Sequence, residues 1–252
     1  MIRWPNDSIP KGSVYTSSMQ PERIASLLSP FLPAGPLSLL QLEQVSNHLD
    51  LLLKWNARIN LTGIRAPDEI VARHFGESFF LAQTLFPLAA SPRATRNKAN
   101  GHIHSPAAAP SLRHHSISCA IDLGSGAGFP ALPLKIWAPA LQLTLIESQN
   151  KKATFLKEVI RTNRLMDINV FSGRAEAYTG ARAHLVTMRA VERFAHSLPL
   201  AATLLAAGGT LALLIGASQL SQAGSLLPTL RWNPPIPLPK AHSRVVLLGQ
   251  RP

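Results

Sequence analysis

The chain has 252 residues, of which 46% are hydrophobic and 15% charged, enough apolar material for a real core and too much for wholesale disorder. A single cysteine, Cys119, excludes a disulfide framework and any cysteine-rich zinc or iron–sulfur site, and fits a reducing compartment. Lys plus Arg is 25 against 13 Asp plus Glu, a formal charge of +12, and arginine outnumbers lysine 17 to 8. After Glu176 the only acid is Glu192, against seven basic residues. Such a field attracts polyanions; RNA, DNA and anionic membranes are the candidates, with nucleic acid favoured.

Residues 1–20 are polar and patternless and read as a loose tail. The opening MIRWPNDSIPKGS has no apolar core of a secretory leader, so a cytoplasmic location is expected. Residues 21–90 read as a small helical extension. Leu42, Val45, Leu49 and Leu52 fall on one helical face, Asn56 to Gly63 break the pattern, and Pro67-Asp68-Glu69 opens a second helix through Phe86. Residues 91–116 are a basic, low-complexity insert without an acid. Its His102, His104, His114 and His115 have no fixed geometry, so no metal site is expected. As a source of RNA contacts, the insert would add to the salt slope of binding, and its deletion would lower that slope.

From residue 117 to 252 strand and helix signals alternate. Strands are expected at 117–124, 141–147, 168–173, 184–190, 210–216 and 244–249, and helices at 130–137, 151–163 and 192–207. Leu198 to Ala217 carries no charge for 20 residues, but Pro199 and the Gly208-Gly209 pair split it. A buried helix, a turn and a buried strand are expected there rather than a membrane span. The alternation predicts an α/β domain with an open, mostly parallel sheet and helices on both faces. Ligands then bind at the carboxyl ends of the strands, near the switch in strand order.

The strongest local signal is Asp122-Leu-Gly-Ser-Gly-Ala-Gly-Phe-Pro130. Glycines at 124, 126 and 128 between a strand and a helix let the backbone turn sharply and approach a ligand. A dinucleotide loop is matched loosely by Gly126, Gly128 and Ala131; an S-adenosylmethionine loop, with an acid ahead of G-x-G-x-G, is matched fully. Pro130 and Pro133 remove backbone N–H groups that a pyrophosphate would need, which puts the adenosylmethionine reading ahead. Asp122 could face a cationic amino-acid moiety. Glu147, at the next strand tip, is placed to accept from ribose hydroxyls. In Gly173-Arg-Ala-Glu176 the acid could meet the adenine or serve as a first-turn helix acid. Arg189 could fork onto a phosphate or the cofactor carboxylate, or pair with Glu192 or Glu176. Lys157, Arg161 and Arg164, with Lys151 and Lys152 before them, form either a solvated helix face or a phosphate-tracking stripe. Asn233-Pro-Pro-Ile236 lacks the aromatic of an amino-group methyltransferase motif and follows the wrong strand. Cys119 lies inside a strand, away from a nucleophile's position. There is no P-loop.

Trp55-Asn-Ala-Arg-Ile-Asn-Leu-Thr62, Arg73-His-Phe-Gly-Glu-Ser78, the 122–130 loop and Met188-Arg-Ala190 occur in that order. Together they resemble the bacterial small-subunit ribosomal RNA guanine-N7 methyltransferases, the glucose-inhibited division protein B family, over about 40–90 and 117–250. The resemblance implies a Rossmann-like class I methyltransferase, with a seven-stranded sheet behind the helical extension. It implies S-adenosylmethionine contacted by Gly124, Phe129, Ala175, Glu176 and Arg189, which join Asp122, Gly126, Gly128 and Glu147 of the loop reading as candidate cofactor residues, with Arg189 also the candidate catalytic residue. The product implied is 7-methylguanosine in a decoding-region loop of 16S ribosomal RNA. The partner is that RNA or the small subunit, bound by a monomer away from any membrane. Candidate RNA contacts are Arg58, Arg73, Lys151, Lys157, Arg161 and Arg164. The family's Leu-Lys-Gly after the fifth strand is replaced by Leu214-Ile215-Gly216. Two other readings stay open: a nicotinamide-dependent oxidoreductase, and a methyltransferase-fold RNA-binding protein with another acceptor or no activity.

Overall fold

The computed structural model describes residues 19–87, 117–189 and 193–252. The 91–116 insert with its four histidines, nearly all of the tail, and Ala190 to Glu192 lie outside the described residues.

Helix α1 (Pro21–Leu28) begins on a proline, whose missing N–H is no loss at that position. Helix α2 (Leu39–Asn56) starts with a capping box in which Ser38 and Gln41 satisfy each other's backbone N–H groups. Its buried face is Leu42, Val45, Leu49 and Leu52, as the spacing predicts, with His48 on the same stripe. The second expected helix is broken in character. It runs as α3 (Pro67–Ile70), a π-helical turn over Val71–Gly76, and α4 (Glu77–Leu85). Gly76 is needed at the end of that turn, because a Cβ there would stand 2.6 Å from the Phe31 ring.

The remaining elements are β1 (Cys119–Leu123), α5 (Ala131–Trp137), β2 (Gln142–Glu147), α6 (Asn150–Thr162), β3 (Ile168–Ser172), β4 (Ala183–Arg189), α7 (Phe194–Thr203), β5 (Leu205–Gly216), α8 (Leu220–Leu226), β6 (Arg231–Trp232), β7 (Ile236–Pro237) and β8 (Arg244–Gln250). The strand order is β3-β2-β1-β4-β5-β8-β6, and β7 also pairs with β8. Strands β1 to β5 are mutually parallel, and β8 runs antiparallel to β5. β6 and β7 meet successive stretches of β8, at Gly249–Gln250 and Val245–Val246, interrupted by Asn233-Pro234-Pro235. They act as one broken edge strand, a place where prolines cost no ladder bonds, so the sheet is seven strands wide. This is the doubly wound, mostly parallel arrangement expected from the alternation. The order reverses between β1 and β4, where Asp122 lies opposite Thr187.

Two elements differ from expectation. The 192–207 helix ends at Thr203, and β5 begins at Leu205 rather than 210. Gly208 takes a left-handed φ of 69°, and pairing with β4 slips between Ala183 and Leu185. The Gly208-Gly209 pair therefore forms a bulge inside the strand, not a turn before it. The broken edge strand and α8 were not anticipated; two-residue strands carry no periodic signal.

Side chains alternate across the sheet. Ala120, Leu143, Leu145, Leu185, Ala212, Leu214 and Val246 face α2, α4, α5 and α6 in one core. Ile121, Ile146, Val186, Met188, Leu213, Ile215 and Leu247 face α7 and α8 in the other. The N-terminal helices thus share a core with the sheet. They stand over the face to which Asp122, Thr187 and Arg189 alternate.

Candidate functional site

At the carboxyl edge of the sheet, the loop after β1 is held by its own backbone and by Glu147. The N–H groups of Gly124 and Ser125 donate to the Ile146 carbonyl, at 3.0 and 3.1 Å. Gly126 N–H donates to Glu147 Oε2 at 2.9 Å, and Gln149 N–H to Glu147 Oε1 at 2.8 Å. Gly124, Gly126 and Gly128 have φ of 74°, 52° and 88°, a region that side chains disfavour. A Cβ on Gly128 would lie 2.5 Å from Leu132. A Cβ on Gly126 would meet only the Gly124 carbonyl, at 3.7 Å, so that glycine borders open space. The loop is a cradle that a side chain would fill.

Asp122 lies beneath the loop, 1% exposed. Its Oδ1 accepts from Thr187 Oγ1 at 2.5 Å, and its Oδ2 is buried without a partner. Burial raises its pKa to about 7, against the pull of the Thr187 hydrogen bond. Glu147 is buried with both oxygens already accepting backbone N–H groups, and each keeps a lone pair for a further donor. Ala175 is buried in a 3-10 turn after β3, and Glu176 beside it is exposed, 3.9 Å from His196.

Phe129 sits where sequence alone did not place it. Its ring stacks on His48 at 4.9 Å and on His74 at 5.0 Å, and meets Phe75 edge-on at 4.8 Å. His48 Nε2 lies 2.9 Å from the Ala127 carbonyl, which only accepts, so Nε2 carries the proton. Burial lowers the His48 pKa to about 4. Burial first, then the Arg189 charge, lowers His74 to about 3. Both rings are neutral at pH 7.

Arg189 has partners that its sequence context does not name. Its guanidinium reaches neither Glu176 nor open solvent. It donates to Glu77 Oε2 at 2.9 Å and to the carbonyls of Arg73 and His74, at 2.8 and 3.2 Å. The π-helical turn presents those carbonyls, and 10% of the Arg189 side chain is exposed. Arg244, at the start of β8, pairs with the other Glu77 oxygen at 2.5 Å. Burial pushes Glu77 up while the two guanidiniums pull it back; burial also lowers Arg189 to about 10. Arg189 ties the helical extension to the end of β4.

The motifs of the extension serve this junction. Asn56 Oδ1 accepts from the N–H groups of Leu61 and Thr62, and Asn56 Nδ2 donates to the Thr62 carbonyl. The turn so formed puts Thr62 Oγ1 2.7 Å from His74 Nε2. Trp55 Nε1 donates to Glu158 on α6 at 2.8 Å. Glu77, His48, Thr187 and Arg244 escaped the sequence reading. Two left a signal: Glu77 is a lone acid in an apolar run, and His48 lies on the apolar stripe of α2.

The candidate RNA contacts are spread out. Arg58 is exposed after α2, and Arg73 pairs with Glu69 at 3.0 Å. Lys151, Lys157 and Arg161 are exposed on α6, which starts beside Glu147 and leads away from the loop. Arg164 is not on that face: the helix ends at Thr162, and Arg164 takes a left-handed φ of 51° beyond it. Ile215 is buried in the second core, on the face opposite Arg189. Cys119 lies 3.3 Å from His184 at the amino ends of the strands, in a cleft far from the glycine loop. Among the described residues no cluster of three or more potential metal ligands occurs, and no helix is long and apolar enough to cross a membrane.

A family described as rRNA small subunit methyltransferase G matches residues 41–88 and 91–226. The chain is similar to the ribosomal RNA small subunit methyltransferase G of Xylella fastidiosa, 33% identical over 218 residues, covering 84% of this chain and 86% of that one. The protein of the same name in Streptococcus thermophilus is 36% identical over 180 residues, 69% of this chain and 65% of that one. The one in Alkaliphilus metalliredigens is 36% identical over 136 residues, 54% and 46%. The matched part thus spans about half to two thirds of these last two relatives.

Proposed function

This chain belongs to the rRNA small subunit methyltransferase G family, and from that premise we propose that it methylates N7 of a guanine in the decoding region of 16S ribosomal RNA. The observation that carries the reading is the glycine loop. Three left-handed glycines sit at the carboxyl edge of a doubly wound sheet, beside its switch point, with open space at Gly126. The residues fit S-adenosylmethionine, which would supply an electrophilic sulfonium methyl group. The Gly124–Gly128 backbone, Asp122 with its free Oδ2, and Glu147 would hold it, and Ala175 and Glu176 would flank its base. Phe129 would contribute through its backbone, since its ring is packed against His48, His74 and Phe75.

Guanine N7 carries an exposed lone pair, so the acceptor needs no strong base, and no residue is assigned as one. The protein's contribution is to hold donor and acceptor in line, worth roughly 7–11 kcal/mol where orientation is good. Arg189 and Glu77 fix the end of β4 against the π-helical turn and so set the wall on which a base would rest. They are positioning residues. Arg58, Lys151, Lys157 and Arg161 would supply exposed positive charge for the RNA backbone, beside a half-buried Arg73 paired with Glu69. The enzyme would act as a cytoplasmic monomer on the small subunit or its RNA.

The test is transfer of tritiated methyl from S-adenosylmethionine to 16S RNA, supplied free, in 30S particles and in 70S ribosomes. Label recovered as 7-methylguanosine supports the reading. Label in another nucleoside, or in none, overturns it.

A further inference from the structure

His48 lies in α2, outside the glycine loop, yet two of its contacts end on that loop. Its Nε2–H donates to the Ala127 carbonyl at 2.9 Å, and its ring stacks on Phe129 at 4.9 Å and 8°. The side chain is fully buried, and its Nδ1 has no partner. A buried polar ring whose one hydrogen bond goes to a loop carbonyl is an expensive packing element, since an apolar side chain would fill the same space without desolvation. What the polar ring adds is a fixed direction for one peptide. The peptide between Ala127 and Gly128 is held at both ends, its carbonyl by His48 and its N–H by the Ser125 carbonyl at 2.6 Å. Gly128, on one side of that peptide, and Gly126, just before Ala127, are both left-handed, so those two bonds fix an orientation in a backbone that glycine leaves free to turn.

We propose that His48 is a positioning residue for the cofactor loop, holding the Ala127–Gly128 peptide in the orientation that receives the methionine-bearing end of the methyl donor. The inference rests on the methyltransferase reading above. The extension then has a task in cofactor binding as well as in covering the sheet. His74, stacked on Phe129 at 5.0 Å and hydrogen-bonded with Thr62, adds a second ring to that packing.

Glutamine and methionine have similar length and shape, and only glutamine can donate to the carbonyl. The full chain carrying His48→Gln or His48→Met is compared with wild type by equilibrium dialysis against S-adenosylmethionine, by steady-state kinetics and by thermal melting. His48→Met should bind the donor roughly tenfold more weakly than His48→Gln. That loss should appear in KM for the donor, with KM for RNA and kcat within about twofold. Equal donor affinity in the two variants, whatever their melting temperatures, overturns the inference while leaving the methyltransferase reading intact. No donor binding by wild type overturns both. Should His48→Met fail to fold, the wild-type His48 Nε2–H proton decides by NMR. Its exchange with solvent slows on adding S-adenosylhomocysteine if His48 holds the loop, and an unchanged rate overturns the inference.

Discussion

Asp122 has one oxygen on Thr187 and the other buried without a partner, and its pKa is raised to about 7. A carboxyl whose folded pKa exceeds its unfolded value contributes stability that is present below about pH 4 and is lost as pH rises through 7. Asp122→Asn removes that loss. Its melting temperature relative to wild type should therefore climb between pH 4 and 7 and level off above, at up to roughly 1.4 kcal/mol per pH unit. A difference independent of pH would place the carboxyl in a wetter site than the geometry shows. The histidines have the opposite sign. Depressed to about 4 and about 3, His48 and His74 stabilise the fold above about pH 6.5, and that contribution is lost as pH falls through 4. His48→Gln should flatten part of the acid limb of the melting curve. Arg189 and Glu77 form the third residue-scale test. Arg189→Ala strips one of two partners from a buried carboxylate, which should cost about 3 kcal/mol along with most methyl transfer. Adding Glu77→Gln to that variant should return part of the stability and none of the activity. A purely additive double variant would show that the pair does not interact.

Within the glycine loop, neighbouring positions separate folding from binding. Gly128→Ala places a Cβ 2.5 Å from Leu132 at a φ of 88°, and should cost about 2–4 kcal/mol. Gly126→Ala places its Cβ in open space at a φ of 52°, a penalty of about 1 kcal/mol, yet fills the cradle. It should melt near wild type and lose most donor binding, as titration calorimetry would show. The loop was legible in sequence because its whole signal lies within nine residues, strand to glycines to proline. The helix and strand spans were legible for the same reason: periodicity is local. The contents of the junction were not. Arg189 and Glu77 are 112 residues apart, and Ala127 and His48 are 79 apart, so only the folded topology brings them together. The Gly208-Gly209 bulge was missed because a glycine pair signals a turn and a bulge alike, and pairing with β4 decides between them.

For the molecule as a whole, on the proposed reading, the net charge of +12 would set long-range attraction to RNA, and the exposed basic row on α6 would receive its backbone. The double variant Lys157→Glu, Arg161→Glu should weaken RNA binding and flatten the log–log salt dependence by about one unit for each phosphate left without a cation. Donor binding should be unchanged. A steep, unaltered salt slope would move the RNA to another surface. Charge was legible at this scale because composition survives without coordinates. The placement of Arg164 on the helix face was not, because the left-handed residue that ends α6 leaves no periodic signal. The central claim is that this chain uses the Gly124–Gly128 cradle to methylate guanine N7. That methylation makes the base labile to borohydride and aniline, so cleavage of 16S RNA after incubation with S-adenosylmethionine reads it directly. A single donor-dependent scission at a guanine in the decoding region, present with wild type and absent with folded Gly126→Ala, is the result expected. No scission with wild type, or an undiminished one with Gly126→Ala, would contradict the account.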